Sequence, residues 1–504
     1  MTDIKKQLLK NACSGWLAQL SAAIVGFVML PYNLKHLGKE LYAINVLAVS
    51  AIAMMQFLNL GMGPALLRFF AQAITRKDQR EIKVLSSTAQ LILGTLGLVG
   101  ALVIVAAIPW FHRFYEVPVE FRRGAGILLL CMAGSFFMEF HGMVFQSIVL
   151  ANNRYDLVNI QKITSSWLRF LLLVIFYNVF TPSLAFLGLA LLLGGVYNYV
   201  ALIAMSLRES GSAVFFSFSC VRLARLPELF SFSVLTMIQS VFFSASIQVP
   251  FLILGKTLGK ESATLFTPAM LIATYLSVFL WQIASPLTPL AARDRVQTGG
   301  DNIGRWALSF GQIVACAGYG CIFASIAFMP DILRIWLGND FVAVAVVVTV
   351  VAVGNVYSSI QSVNYSLALG SSTIAPVAYS SVVMAFLTSL GTLLGTLWWN
   401  WGLWEIAICM TVVRVLRNTF FLSWVYSRLF KYSFRRYFFR VYIQPAIGGI
   451  VLLAVVLTVK RQFPNFSPGF MLLGLETVVV GMVYAMITWS FGLNRETRSM
   501  LLKR

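Results

Sequence analysis

Residues 84–111, VLSSTAQLILGTLGLVGALVIVAAIPWF, run without one charged side chain between the basic segment TRKDQREIK and the pair His112–Arg113. As a helix rising 1.5 Å per residue, a run of this length reaches about 42 Å, enough to cross the roughly 30 Å hydrocarbon core of a bilayer. In lipid each peptide group must find its partner within the same segment, so the run reads as a transmembrane helix. Comparable runs are expected near residues 11–36, 41–72, 124–151, 157–180 and 183–207, then near 227–255, 262–291, 304–329, 341–370, 373–397 and 402–429. A last pair is expected near 441–460 and 469–492. The expected fold class is all-α, a polytopic membrane protein of about 14 transmembrane helices.

Composition agrees. Of 504 residues, 59% are hydrophobic and 11% charged, and the mean hydropathy of +0.82 is far from that of a water-soluble globule. The formal charge of +20 does not indicate nucleic acid, because the basic residues lie in connections flanking apolar spans, where they set topology and meet anionic lipid. The six cysteines fall mostly within spans and form neither a CxxC pair nor a metal-ligand spacing. No Walker lysine motif, HExxH, GxSxG or metal-spaced histidine cluster occurs, so no cofactor is implied. The basic start MTDIKKQLLKN leads into an apolar run without a small-residue cleavage site, and a retained first helix is expected.

Orientation follows from charge. With both termini inside, the cytoplasmic segments hold roughly 24 of the 38 Lys and Arg, against roughly 10 outside. This places TRKDQREIK, RDRVQTGGDNIGR and RLFKYSFRRYFFR in the cytoplasm and WWNWGLW, residues 398–404, at the outer interface. An aromatic belt is the favoured reading of that tryptophan cluster over a sugar-stacking platform. The polar-leaning segment 208–228 separates two sets of six spans. The expected organisation is an N-terminal lobe over 1–210, a cytoplasmic linker over 211–226, a C-terminal lobe over 227–430, and a helix pair with a cytoplasmic tail over 431–504. Six spans return the chain to the same face, so two related lobes would be parallel repeats.

Polar side chains are costly in lipid, and those at helical spacing mark either helix contacts or a wet cavity. Asn45, Gln56 and Asn59 form one such stripe, and Asn355, Ser359, Ser362 and Ser366 another. Charged groups discriminate better. Arg169 shares a helix face with Lys162 and Ser166, and Arg414 shares one with Arg417 and Asn418. An arginine near the bilayer centre costs about 2.5–3.5 kcal/mol on insertion scales. Arg169 and Arg414 are therefore expected to face an aqueous cavity, while for Lys162 and Arg417 snorkelling from a span end is an equal alternative. Glu139, in a stripe with Ser135, Met143 and Gln146 and near His141, reads either as an ion-coupling residue or as a partner for a cavity arginine. Arg68 points away from Asn59 on an unbroken helix, although Pro64 could redirect it through a kink.

FLNLGMGPALLRFFAQA, residues 57–73, resembles a hallmark of bacterial polysaccharide and O-antigen flippases, relatives of the multidrug and toxin extrusion (MATE) transporters and lipid II flippases. FQSIVLANNRYDLVNIQKITSSWLR (145–169), PDILRIWLGNDF (330–341) and SLALGSSTIAPVAY (366–379) are similar to further passages of that family. The resemblance implies a MATE-like fold and a flippase of the bacterial inner membrane that moves a polyprenyl-pyrophosphate-linked glycan by alternating access. Membrane lipids, and a glycan polymerase, are the partners it suggests. By resemblance Arg68, Arg169 and Arg414, with Arg417 beside them, would meet the head group. Asn59, Gln56, Gln146 and Gln239 would line the path, and Glu139 would couple an ion. A lipid II flippase and a cation antiporter of the same fold are the alternatives. The chain departs from the family pattern where Asn59 replaces a frequent Asp; the span 11–36 lacks carboxylates, and the span 227–255 has none beyond Glu228 at its edge. That departure weighs against a cation antiporter. A membrane enzyme would call for a long outer loop, and every outer connection is short.

Overall fold

Without water to satisfy peptide groups, an apolar chain closes its hydrogen bonds within helices, and the described residues are helical apart from the turns that join them. The computed structural model describes residues 2–55, 58, 62–223, 234–284, 286–371, 373–462, 480–484, 486, 488, 493, 497 and 498. Among them are α1 (Thr2–Met54), α2 (Met62–Thr75), α3 (Gln79–Phe114), α4 (Val119–Ala151), α5 (Tyr155–Val179) and α6 (Leu184–Ser210). There follow α7 (Val234–Thr257), α8 (Lys260–Ala284), α9 (Leu287–Thr298), α10 (Ile303–Leu337), α11 (Ala345–Ile360), α12 (Ser362–Gly370) and α13 (Ala375–Trp398). The last two are α14 (Leu403–Leu429) and α15 (Phe434–Thr458).

Twelve described helices are long and apolar enough to cross a membrane, and one of them, Ser14–Met54, is 41 residues long. Unbroken, that helix would measure about 60 Å, twice the hydrocarbon thickness. The chain breaks at Gly38, whose φ of 73° and ψ of 172° lie outside helical space. Glycine alone adopts this region at no steric cost. The break separates the expected spans 11–36 and 41–72, which accounts for one crossing beyond the twelve. The expected span 469–492 lies mostly outside the described residues. The tryptophans Trp398, Trp399 and Trp404 are exposed at the end of α13 and the start of α14.

The chain folds into two compact units, Met1–Ser244 with Gly259–Thr264, and Ala245–Leu258 with Leu265–Arg504. The division falls inside α7. In the first unit α4 and α6 pack closely through small residues: a Cβ on Gly188 would stand 2.8 Å from the Leu128 backbone, and one on Gly195 3.3 Å from Ser135 Oγ. Segment 211–223, expected as part of a linker, is strapped to α3. Ser86 Oγ and Gln90 Nε2 both donate to the Val214 carbonyl, at 3.1 and 2.8 Å. The Ser87 and Thr88 hydroxyls accept from the backbone N–H groups of Ser217 and Arg222.

Among its described residues the second unit holds π turns at Arg417–Leu422 in α14 and at Phe438–Ile443 in α15. A π turn releases a carbonyl from the helical ladder and rotates the faces that follow it. The amide nitrogen of buried Gln361 lies 2.6 Å from the Asn418 carbonyl and 3.0 Å from the Tyr442 hydroxyl. Asn364 donates to the Gln361 carbonyl oxygen at 2.8 Å and to the Tyr437 hydroxyl at 3.1 Å. Gln361, between α11 and α12, and Asn364 of α12 thus tie both of these π turns to the interior.

Candidate functional site

Helix α5 is fixed before its polar face is set. Asp156 in its first turn is fully buried and paired with Lys10 at 2.7 Å and Arg154 at 3.3 Å. Arg154 also reaches Glu209, at the end of α6, at 2.9 Å. Further along, Asn159 donates to Ser14 Oγ at 3.0 Å and the Trp167 indole to Ser21 Oγ at 2.9 Å. These contacts orient α5 against α1 and α6, and the helical period then aims Lys162, Ser166 and Arg169 in one direction.

They open onto a cavity of about 590 Å³ within the first unit. Facing α5 across it, α4 supplies Ser135, Glu139 and Gln146, and Asn198 of α6 and Gln19 of α1 add neutral polar groups. Gln161 donates to the Asn198 amide oxygen, which holds two of these groups in register. Arg169 lies over Gly194 of α6 so closely that a Cβ there would overlap its side chain. Gly194 is thus the seat of the arginine stem. Among the described residues the buried Arg169 Nε finds no hydrogen-bond partner, and the guanidinium interacts electrostatically with Glu139. Two cations, one carboxylate and a surround of amides and hydroxyls make a chamber that attracts anions and hydrogen-bonds polyols.

The structure brings together Arg169, Gln146 and Glu139 of the residues singled out in the sequence, with Lys162 and Ser166. His141 faces elsewhere, its Nδ1 2.7 Å from the Tyr199 hydroxyl. Arg68 is exposed on α2 and is not among the residues lining the chamber. Gln56 and Asn59 lie outside the described residues. Gln239 is half-buried on α7 and accepts from the Ser240 hydroxyl at 3.3 Å. In the second unit Arg414 is 1% exposed. Arg417 donates to Ser380 Oγ at 2.9 Å, Ser381 Oγ at 2.8 Å and the Val377 carbonyl at 3.1 Å, all on α13. Arg417 also donates to Asn418 Oδ1 at 3.3 Å, and Asn418 donates to Ser358 Oγ of α11 at 3.0 Å.

Asn159, Gln161 and Asn198 also line the chamber and escaped the sequence reading. Asn159 carries a usable signal, since it precedes Lys162, Ser166 and Arg169 at helical spacing. Gln161 and Asn198 meet only through the α5–α6 contact, which no single-helix pattern reveals.

The family model described as "Polysaccharide biosynthesis protein" matches residues 8–293. No curated protein matches the chain in sequence. Among solved structures, the chain is similar to the lipid II flippase MurJ in an inward closed conformation, with a TM-score of 0.70 and 11% identity over 94% of this chain and 97% of that one. It is also similar to the eukaryotic MATE transporter AtDTX14, with a TM-score of 0.63 and 14% identity over 87% and 98% of the two chains. An inward-facing multidrug resistance MATE transporter of the MOP superfamily aligns with a TM-score of 0.61 and 13% identity, covering 88% and 99%. The likeness is one of fold.

Proposed function

Because the chain belongs to the polysaccharide biosynthesis protein family, we propose that it flips a polyprenyl-pyrophosphate-linked oligosaccharide across the bacterial cytoplasmic membrane by alternating access. The observation that carries this reading is the chamber of the first unit, where Arg169 and Lys162 stand opposite a wall of neutral hydrogen-bonding groups. Charge-assisted hydrogen bonds to the pyrophosphate would neutralise the most expensive part of the cargo, and the amides and hydroxyls would take over the hydration of the sugars. The polyprenyl tail stays in lipid. Glu139, close to Arg169 in electrostatic terms, either couples an ion or balances the arginine when the cargo is absent. Arg68, Arg414 and Arg417 stay candidates for head-group contacts, as do Gln56, Asn59 and Gln239 for the path. The excess of Lys and Arg on one set of connections supports cytoplasmic termini.

A lipid II flippase is the second reading, supported by the fold shared with MurJ. A cation antiporter is disfavoured by a chamber whose cations outnumber its carboxylate. The test is binding of a polyprenyl-pyrophosphate glycan to the purified full chain. Losing one charge-assisted contact costs about 1.5–3 kcal/mol, so Arg169→Ala is expected to weaken binding roughly 10- to 100-fold. A polyprenyl alcohol without pyrophosphate should bind weakly to both proteins. Equal affinity of wild type and Arg169→Ala would refute the assignment, and competition by lipid II would favour the second reading.

A further inference from the structure

The second unit contains a cavity of about 430 Å³ that has no part in the chamber described above. Its walls come from the end of α9, the start of α10 and the turn between them, from the end of α14, the start of α15 and the turn between them, and from Thr373 ahead of α13. Arg295, Arg305, Lys431, Arg436 and Arg440 line it, with Asp301 as the acid among its lining residues. Like charges do not converge around a hollow without cost, and among the described lining residues five cations to one carboxylate leave a positive potential in a hollow open to solvent.

The walls are built. Gly304, in the first turn of α10, lies so close to the other connection that a Cβ would stand 2.5 Å from the Phe430 carbonyl oxygen. Asp294 accepts from the Asn302 backbone at 3.1 Å and from its side chain at 2.6 Å, which closes the 299–302 turn. Tyr432 stacks on Tyr437 at 5.1 Å and donates to Asn364 at 3.4 Å, tying the second connection to the interior of the unit. Arg295 donates to the Ser371 carbonyl at 2.7 Å and Arg305 to Asn302 Oδ1 at 2.6 Å. Both acceptors are neutral, so each guanidinium is oriented while its charge is retained and further N–H donors remain.

An apolar groove of about 690 Å³ adjoins in sequence. Phe434, next to the cavity residue Ser433, lines it together with Leu387, Leu416, Phe420 and Trp424. A basic hollow beside a hydrocarbon groove matches a ligand with a phosphate at one end and an alkyl or prenyl chain at the other. We propose that this cavity is a second anion site, which holds a lipid-borne phosphate on the side of the membrane that the charge asymmetry assigns to the cytoplasm. Two membrane components carry that chemistry, an anionic phospholipid and a polyprenyl pyrophosphate. The proposal is independent of the chamber around Arg169.

Native mass spectrometry of the full chain, released from bilayers of equal phosphatidylglycerol and phosphatidylcholine, reads the phospholipid arm. A second set of phosphatidylcholine bilayers doped with polyprenyl pyrophosphate reads the other. Retention of either phosphate lipid over phosphatidylcholine is expected, and the retained species names the source. At the strength of a basic residue near an anionic surface, Arg305→Gln with Arg436→Gln should lower that retention roughly thirtyfold, and the paired Lys variants should preserve it. Arg169→Ala tests the chamber separately, and its effect on glycan binding does not bear on phosphatidylglycerol retention. Should the Gln pair fail to fold, the wild type decides: inorganic pyrophosphate is expected to displace the retained lipid. No selectivity for either phosphate lipid, a folded Gln pair that retains it undiminished, or failure of pyrophosphate to displace it overturns the proposal.

Discussion

Arg169 is placed by what lies beneath it. The absence of a side chain at Gly194 gives the arginine stem room, and any Cβ there would drive the stem into the chamber or out of it. Gly194→Ala is therefore expected to lower glycan binding in the same direction as Arg169→Ala while leaving the protein folded, a pairing checked by binding and thermal unfolding measured together. Asp156 acts on the same helix from its end. Its carboxylate is buried although Lys10 and Arg154 are partly solvated. Asp156→Asn should then cost about 2 kcal/mol, less than a fully enclosed pair would, as a lowered unfolding temperature in detergent. At this scale the face shared by Lys162, Ser166 and Arg169 was legible, because an unbroken α-helix keeps its period and the chain supplies no breaker between them. On α14 Arg417 donates to Asn418 at 3.3 Å, while Arg417 also reaches α13 and Asn418 reaches α11.

At the scale of elements, a polar segment between two apolar sets proved to be a strap. Its partners, Ser86, Ser87, Thr88 and Gln90, sit inside the uncharged run 84–111, where hydropathy hides them. Removing two donors from one carbonyl leaves that oxygen unsatisfied, and Ser86→Ala with Gln90→Ala is expected to cost about 1–3 kcal/mol. Limited proteolysis checks this, with faster cleavage in 211–223 as the expected result. Gln361 plays the comparable part in the second unit. Replacing its amide by Leu would strip the Asn418 carbonyl and the Tyr442 hydroxyl of a shared partner, with a similar loss of stability expected. Neither contact has a sequence signature, since each joins helices far apart in the chain.

Across the whole molecule, the number and length of the helices follow from bilayer thickness, and the sequence displays them openly. Spans from 84–111 to 441–460 overlap described helices, with 227–233 and 285 outside the described residues, and the break at Gly38 occurs where length requires a second crossing to begin. A chamber is less visible, because it forms only when polar faces of α4, α5 and α6 meet. Arg169, Lys162, Gln146 and Glu139 were recognisable as groups that lipid would not tolerate, whereas the part taken by Gln161 and Asn198 required the packing of α5 on α6. The chain belongs to the polysaccharide biosynthesis protein family, and the proposed reading matches the charge of the chamber to a pyrophosphate head group. The direct test is the rate at which proteoliposomes containing the full chain move a fluorescent polyprenyl-pyrophosphate glycan between leaflets. Arg169→Ala should reduce that rate by at least about tenfold, with Arg169→Lys intermediate. An unchanged rate in a folded Arg169→Ala protein would contradict the account.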